Sequence, residues 1–462
     1  MADIVEELRQ ALGAGVVTAG EAVERRYFCD WSGIDPAPPR ALLRPRNTQE
    51  VSTALRLCHA AGQGVVPQGG LTGLAGGATP RAGDIVLSLE RLTGIEELDP
   101  AAATITVRAG TPLELAQRAA EEAGFLLALD LGSRGSCQVG GNLSTNAGGN
   151  RVIRYGMARE QVLGLEVVLA DGTIVTSLNK MLKNNAGCDI KQLFIGAEGT
   201  LGIITRAVLC LHARPRSRST ALVALPGYEA VVALLRRAQR ELGEISAYEA
   251  MWGGFYDLVA NHPACKRKPL PDGHPFYVLM EYSGPDPAGD PQRFQGLLEA
   301  AMAENMILDA VLAQSEQDAR DFWVIREGES IDSFPLVINF DVSLPIARID
   351  DYVAHCRARL DAGWPVAHKL FYGHVGDSNL HISVMMDRPS SEPALRELMH
   401  AVDEVVYEAV RDFAGSVSAE HGVGTLKRDW LDHSRSDPEL ALMRLLKETL
   451  DPKGILNPGK VI

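Results

Sequence analysis

The chain has 462 residues, enough for two or three domains, with 46% hydrophobic and 23% charged residues and no low-complexity tract. A formal net charge of −14 argues against a nucleic-acid surface, which needs a basic stripe. It leaves room for a small anionic substrate, because one arginine and a metal can invert the local potential. The seven cysteines are scattered and form no CxxC pair, so neither a disulfide framework nor a cysteine zinc site is indicated, and a reducing, cytoplasmic setting is expected.

The opening MADIVEELRQALGAG reads as an amphipathic acidic helix rather than a signal peptide, and no apolar stretch approaches the roughly 20 residues needed to span a bilayer. Helical segments over about 3–12 and 47–62 precede VVPQGG, a short buried strand entering a glycine loop. Strands are expected at 84–92 and 104–110, and LGLEVVLADGTIV (163–175) reads as strand, Asp-Gly turn, strand. TLGIITRAVLCLHARPRS reads as a strand running into a linker at Pro215, which marks the first domain boundary. Beyond it, ALVALPG, FYVLMEYSG and AVLAQ read as strands, interleaved with helices in YEAVVALLRRAQRELG, PQRFQGLLEAAMAENM and EQDARDFWVIREGES. This half is expected to be an α+β domain with an antiparallel sheet. The tail LDPKGILNPGKVI is an extended segment punctuated by Pro and Gly, as if pinned against another element.

Two glycine clusters stand out. PQGGLTGLAGGATP (67–80) contains Pro67, Gly69, Gly70, Thr72, Gly73, Leu74 and Gly76. Such a loop can turn its backbone N–H groups toward an anion. It is not a dinucleotide fingerprint, since a GxGxxG must open a helix and this loop runs into Thr79-Pro80. The second cluster, residues 129–160, combines Gly132, Ser133, Ser136, Cys137, Gly140, Gly141, Asn142, Thr145, Asn146, Gly148 and Gly149 with Arg154, Tyr155 and Gly156. Ordering so many glycines carries an entropy cost that a bound ligand would offset. A third segment, FIGAEGTLGIIT, carries Glu198, Gly199, Gly202 and Ile203.

FYGHVGDSNLHISV (371–384) places His374 and His381 seven positions apart. On one uninterrupted strand an odd spacing would put them on opposite faces, but Gly376-Asp377-Ser378 reads as a hairpin turn that can bring them back together. Taken alone, the pair is either two metal ligands or two hydrogen-bonded histidines in a hairpin. SAEHGVGTLK (418–427) adds Glu420 and His421 beside Gly422 and Gly424. Three of these four groups as ligands would leave the open position a catalytic metal requires, and an unligated imidazole suits a general base near neutral pH.

The three glycine segments, in this order, together with the tail, resemble the flavin-binding domain of the vanillyl-alcohol-oxidase/p-cresol-methylhydroxylase family. The two histidine-bearing motifs resemble that family's FAD-dependent 2-hydroxyacid dehydrogenases (D-2-hydroxyglutarate, D-lactate and glycolate dehydrogenases), over essentially the whole chain from about residue 38. The resemblance implies an α+β fold: a p-cresol-methylhydroxylase-type FAD-binding domain over residues 1–215, a substrate domain over 216–415 and a C-terminal return over 416–462. It implies that residues 67–77 and 132–156 wrap the FAD pyrophosphate, that Glu198, Gly199, Gly202 and Ile203 lie along the flavin or adenosine, and that Asn457 returns to the isoalloxazine side. With no histidine between His59 and His212, FAD is expected to be non-covalent. By the same resemblance His374, His381 and Glu420 bind a divalent metal (zinc, or else manganese or iron), and His421 is the base. Arg326 clamps the substrate carboxylate, and Ser330 stands where a threonine usually assists.

Two positions depart from that pattern. The D-2-hydroxyglutarate enzymes usually carry a lysine where INFDVSLP has Asn339, and an asparagine where this chain has Ser383. Both belong to the expected substrate pocket, and the missing lysine is a natural partner for a distal carboxylate, so a D-2-hydroxy monocarboxylate is expected. The competing readings are a metal-free flavin alcohol oxidase of the same fold and a non-catalytic flavin-binding subunit of a larger dehydrogenase. The electron acceptor (quinone, electron-transfer flavoprotein, cytochrome or oxygen) and a homodimer are left open by the sequence.

Overall fold

Strands in the first half of the chain fall into two larger sheets of opposite character. The computed structural model describes residues 3–462 apart from 244 and 264, and the side chain of residue 329 is likewise outside the description. One sheet has the spatial order Val17–Ala19, Ala41–Leu43, Ile85–Ser88, Val65–Gln68, and its last three strands are parallel. Parallel neighbours need a crossover, here the helix Thr48–Ala61. Asn47 starts it, its side chain accepting from the Glu50 amide at 2.9 Å, and Gly62 stops it in the left-handed region at φ 65°. The other sheet is antiparallel throughout, in the order Ile95–Asp99, Thr104–Arg108, Ile203–Cys210, Val162–Val168, Ile174–Ser177. The hairpin read from LADGTIV is present, and Gly172 closes its turn at φ 88°.

The tail is pinned as expected. The Val65 amide donates to the Ile455 carbonyl at 2.7 Å, and Asn457 N–H donates back to the Val65 carbonyl at 2.8 Å. The last residues thereby add a parallel bridge to the strand that leads into the first glycine loop. The chain up to Gly149, Tyr155–Arg214 and Glu420–Ile462 make up one unit; Asn150–Arg154 and Pro215–Ala419 make up the other.

The second unit is built on a seven-stranded antiparallel sheet. Its order is Asp309–Leu312, Ser217–Leu225, Phe276–Gly284, Ala247–Trp252, His368–Gly373, Asn379–Met386, Leu336–Ser343. Alternation along the strands separates two faces. One carries Leu222, Met251, Leu279 and Leu370 against the helices Gly253–Ala260 and Glu316–Glu327 through Phe255, Phe322 and Ile325. The other meets the helices Tyr228–Leu242 and Glu392–Asp412, where Tyr248 donates to the Val231 carbonyl at 2.6 Å and Phe340 packs edge-on to Tyr407. Arg154, which stands with the second glycine cluster in sequence, belongs to this unit together with its neighbour Arg151: Arg151 pairs with buried Glu281 at 3.2 Å, and Arg154 bonds the Ser283 carbonyl. Among the described residues, no helix is long and apolar enough to cross a membrane.

Candidate functional site

In the first unit the candidate residues form a backbone site. The amides of residues 70–77 donate none of the hydrogen bonds made among the described residues, so this run of N–H groups needs an outside acceptor. The glycines let the chain pass close enough to form it: a Cβ on Gly70 would lie 2.0 Å from the Ser136 carbonyl oxygen. That approach joins the loop after Pro67 (Gly69, Gly70, Thr72, Gly73, Leu74 and Gly76) to the turn holding Gly132, Ser133, Ser136 and Cys137. Gly140, Gly141 and Asn142 follow in a short helix, Val139–Ser144, whose first amides go to another segment: Val139 N–H donates to the Thr111 carbonyl at 3.0 Å and Gly140 N–H to the Ala109 carbonyl at 2.7 Å. Gly149, at φ 106°, comes against the Asp130 carbonyl, where a Cβ would sit at 1.9 Å. Thr145 and Asn146 use their side chains locally, on the Gly141 carbonyl and the Arg159 amide. Tyr155 packs on His212 with ring centroids 4.7 Å apart, and Gly156 turns the chain at φ 73°. Burial raises the Cys137 thiol pKa above its ordinary value, which keeps it an unreactive packing group.

The buried acceptors Gln68 Oε1, Gln138 Oε1 and Asn457 Oδ1 have no hydrogen-bond partner among the described residues. Unsatisfied amides at one end and unsatisfied amide oxygens nearby fit a ligand with an anionic part and N–H or O–H donors, as a flavin dinucleotide has. Asn457 is held by its Nδ2, which donates to the carbonyls of Gly77 at 2.9 Å and Glu198 at 2.7 Å. The Glu198 side chain is engaged elsewhere: it accepts from the Val423 amide at 2.6 Å and the Gly424 amide at 2.8 Å. Burial raises its pKa despite those two donors. It thereby fixes the turn just after His421, while Glu420 accepts from the Gly149 amide at 2.9 Å. Gly199 and Gly202 lead directly into the strand that begins at Ile203.

In the second unit the candidate residues form a side-chain site on one sheet face. The turn between His368–Gly373 and Asn379–Met386 spans residues 374–378, with Ser378 in the left-handed region at φ 77°. It brings His374 and His381 together, with ring centroids 5.2 Å apart and planes at 78°. Register then aligns the neighbours. Met251, Tyr372, His381 and Asp341 form one row across four strands, and Ser383 stands opposite Asn339. Asn339 Oδ1 accepts from Ser383 Oγ at 2.7 Å, and Tyr372 Oη lies 3.4 Å from the same hydroxyl. The Ala419 amide donates to Asp341 at 3.1 Å, and the next residue in the chain is Glu420.

Arg326 is buried near the end of helix Glu316–Glu327, which Gly328 terminates at φ 66°. Periodicity alone made it one more charged helix residue; the structure lays its guanidinium over the Tyr372 ring, 5.0 Å from the centroid. Arg326 Nε donates to Glu249 at 2.7 Å, and the other Glu249 oxygen lies 2.7 Å from His374 Nδ1. Ser330 Oγ is buried with no hydrogen-bond partner among the described residues. Glu249 was missed from sequence, although a lone acid inside the apolar strand run AYEAMW was a readable signal. Burial pushes its pKa up, but its interactions with His374 and Arg326 outweigh that and hold it below the ordinary carboxylate value.

Comparison with known proteins agrees with both halves. Residues 39–177 match the FAD binding domain family, and residues 214–461 match the family described as FAD linked oxidases, C-terminal domain. A mitochondrial D-2-hydroxyglutarate dehydrogenase of Bos taurus is 41% identical over the whole chain and 83% of its own length. A D-2-hydroxyglutarate dehydrogenase of Xanthomonas citri pv. viticola is 37% identical over 98% of the chain and 96% of its own. Among solved structures, p-cresol methylhydroxylase with substrate bound superposes with a TM-score of 0.76 at 15% identity, over 99% of this chain and 96% of that one, a likeness of fold.

Proposed function

The chain belongs to the FAD-linked 2-hydroxyacid dehydrogenases of the vanillyl-alcohol-oxidase/p-cresol-methylhydroxylase flavoprotein family, and from that premise we propose that it oxidises a D-2-hydroxyacid to the 2-oxoacid with a divalent metal at His374, His381 and Glu420. The observation that carries this reading is the convergence of two histidines and a buried arginine on one sheet face. Two imidazoles and a carboxylate suit zinc, manganese or iron. When bound, non-covalent FAD supplies the acceptor for the C2 hydride and the cation lowers the pKa of the substrate hydroxyl.

The protein's own groups do the rest. Arg326 binds the C1 carboxylate, as a planar guanidinium suits a planar carboxylate, and Ser330 Oγ donates to the same group. His421 takes the proton of the C2 hydroxyl, and its backbone is steadied by the Glu198 hold on the following turn. The hydrogen-bonded row of Asn339, Ser383 and Tyr372 carries no formal charge. It supports a side chain without a second carboxylate, so D-2-hydroxy monocarboxylates are the favoured class.

The test is anaerobic bleaching of the flavin by D- and L-2-hydroxyacids, 2-hydroxyglutarate among them, before and after chelator treatment. D-monocarboxylates should bleach the untreated protein fastest, and chelation should abolish bleaching until metal is restored. Bleaching that survives complete metal removal would refute the metal reading, and a flavin inert to every hydroxyacid would refute the activity.

A further inference from the structure

Glu249 lies at the middle of the seven-stranded sheet and is 1% exposed. The pairs Ala250↔Gly373 and Met251↔Tyr372 continue by one step to set Glu249 across from His374. Burying a carboxylate there is unfavourable unless it is paired, and a buried ion pair adds little net stability over apolar residues of similar volume. What such a pair can supply is orientation.

We propose that Glu249 is a positioning residue that sets two functional side chains at once: His374, to offer Nε2 to the cation, and Arg326, to present its Nη1–Nη2 edge to the substrate carboxylate. The proposal rests on the metal and arginine roles proposed above. A carboxylate only accepts, so the 2.7 Å contact from Glu249 to His374 Nδ1 makes that nitrogen the donor. The proton is then on Nδ1 and the basic lone pair is on Nε2. The second oxygen, 2.7 Å from Arg326 Nε, occupies the side edge of the guanidinium, so a substrate carboxylate meets its end. Arg326 Nη2 lies 3.5 Å from His374 Nε2, which places the proposed carboxylate and cation subsites side by side, as a chelating 2-hydroxyacid requires. One buried carboxylate thus couples the two subsites.

Glu249→Gln tests this, because an amide cannot accept from both partners. Either its NH2 group faces the Arg326 Nε–H, donor against donor, or it donates to His374 Nδ1 and moves the histidine proton onto Nε2. Zinc affinity of the FAD-loaded protein, measured by competition with a fluorescent chelator, should fall about 10–100-fold in the variant, and KM for the hydroxyacid should rise. A purely structural Glu249 would lower thermal stability and leave zinc affinity unchanged, which overturns the proposal. Long-range 1H–15N spectra of histidine-labelled, metal-free wild-type protein provide a readout that needs no stable Glu249 variant. With the His374 signal identified by its loss in His374→Gln, the ring should be protonated on Nδ1 and bare on Nε2, and an Nε2–H tautomer overturns the proposal. Wild-type protein that binds no zinc would instead sink the metal reading, leaving the tautomer to decide the role of Glu249 toward His374.

Discussion

Two buried glutamates, one in each unit, show how differently the two halves of this enzyme hold their functional groups. Glu198 is surrounded by backbone: two amides of the 422–424 turn bind its carboxylate, and burial outweighs them, so its pKa rises. Glu249 is held by two side chains, His374 and the Arg326 guanidinium, and together they overcome the same penalty, so its pKa falls. The contrast extends to the sites. The candidate site of the first unit is built from main-chain amides and missing Cβ atoms, whereas that of the sheet unit is built from side chains aligned by strand register. A backbone site is broken by adding atoms; a side-chain site is broken by altering one donor or acceptor.

The largest effect is therefore expected from the smallest addition. Gly70→Ala places a methyl 2.0 Å from the Ser136 carbonyl oxygen, so one loop must move. Overpacking of this kind costs about 1–3 kcal/mol, and FAD retention should weaken by roughly tenfold or more. Flavin absorbance per chain after gel filtration measures it. Gly254→Ala, on the exposed side of a helix in the other unit with nothing within 4 Å of the new methyl, should leave flavin content unchanged. Equal flavin in both variants would break the distinction between the two regions.

The next effect is in pH dependence. Because burial raises the folded pKa of Glu198 above its ordinary 4.5, the folded state binds more protons than the unfolded state between those two values. Stability from this group is complete below about pH 4.5 and is lost as pH rises through the folded pKa. Lys427 opposes that loss and Asp30 adds to it. Glu198→Gln removes the titration, so the stability of wild type relative to the variant should decline as pH is raised from 4.5. Denaturant melts of both proteins across that range test it, and parallel curves would show that the backbone donors offset the effect of burial.

The same contrast explains which parts could be read from sequence. A backbone site requires one residue type at high local density, so the glycines of PQGGLTGLAGGATP and of the 129–160 segment are legible in the sequence itself. The 374–381 hairpin was visible because Gly376-Asp377-Ser378 is local turn chemistry. Glu249 and Arg326 are 77 residues apart and meet only through sheet register and helix packing, which local periodicity does not encode. The family resemblance supplied Arg326; nothing supplied Glu249, since the stretch from 245 to 275 was assigned no element although it forms a strand and a helix. Arg154 shows the limit of local grouping: it stands among the glycines in sequence, and packing assigns it to the other unit.

The smallest effect on stability should come from Ser330, and its sign is informative. A buried hydroxyl without a partner carries a desolvation penalty that the folded, ligand-free protein does not recover. Ser330→Ala removes that penalty at the loss of one small polar atom, so the melting temperature without substrate should hold or rise, by up to about 1 kcal/mol of stability. If the hydroxyl donates to the substrate carboxylate, the same substitution should raise KM for the hydroxyacid roughly fivefold, about 1 kcal/mol of hydrogen bonding, with Arg326 still in place. Opposite signs for stability and substrate binding mark a group kept unsatisfied until substrate arrives. A lowered melting temperature with unchanged KM would make Ser330 an ordinary packing residue and leave Arg326 as the one carboxylate-binding group argued from this sheet face.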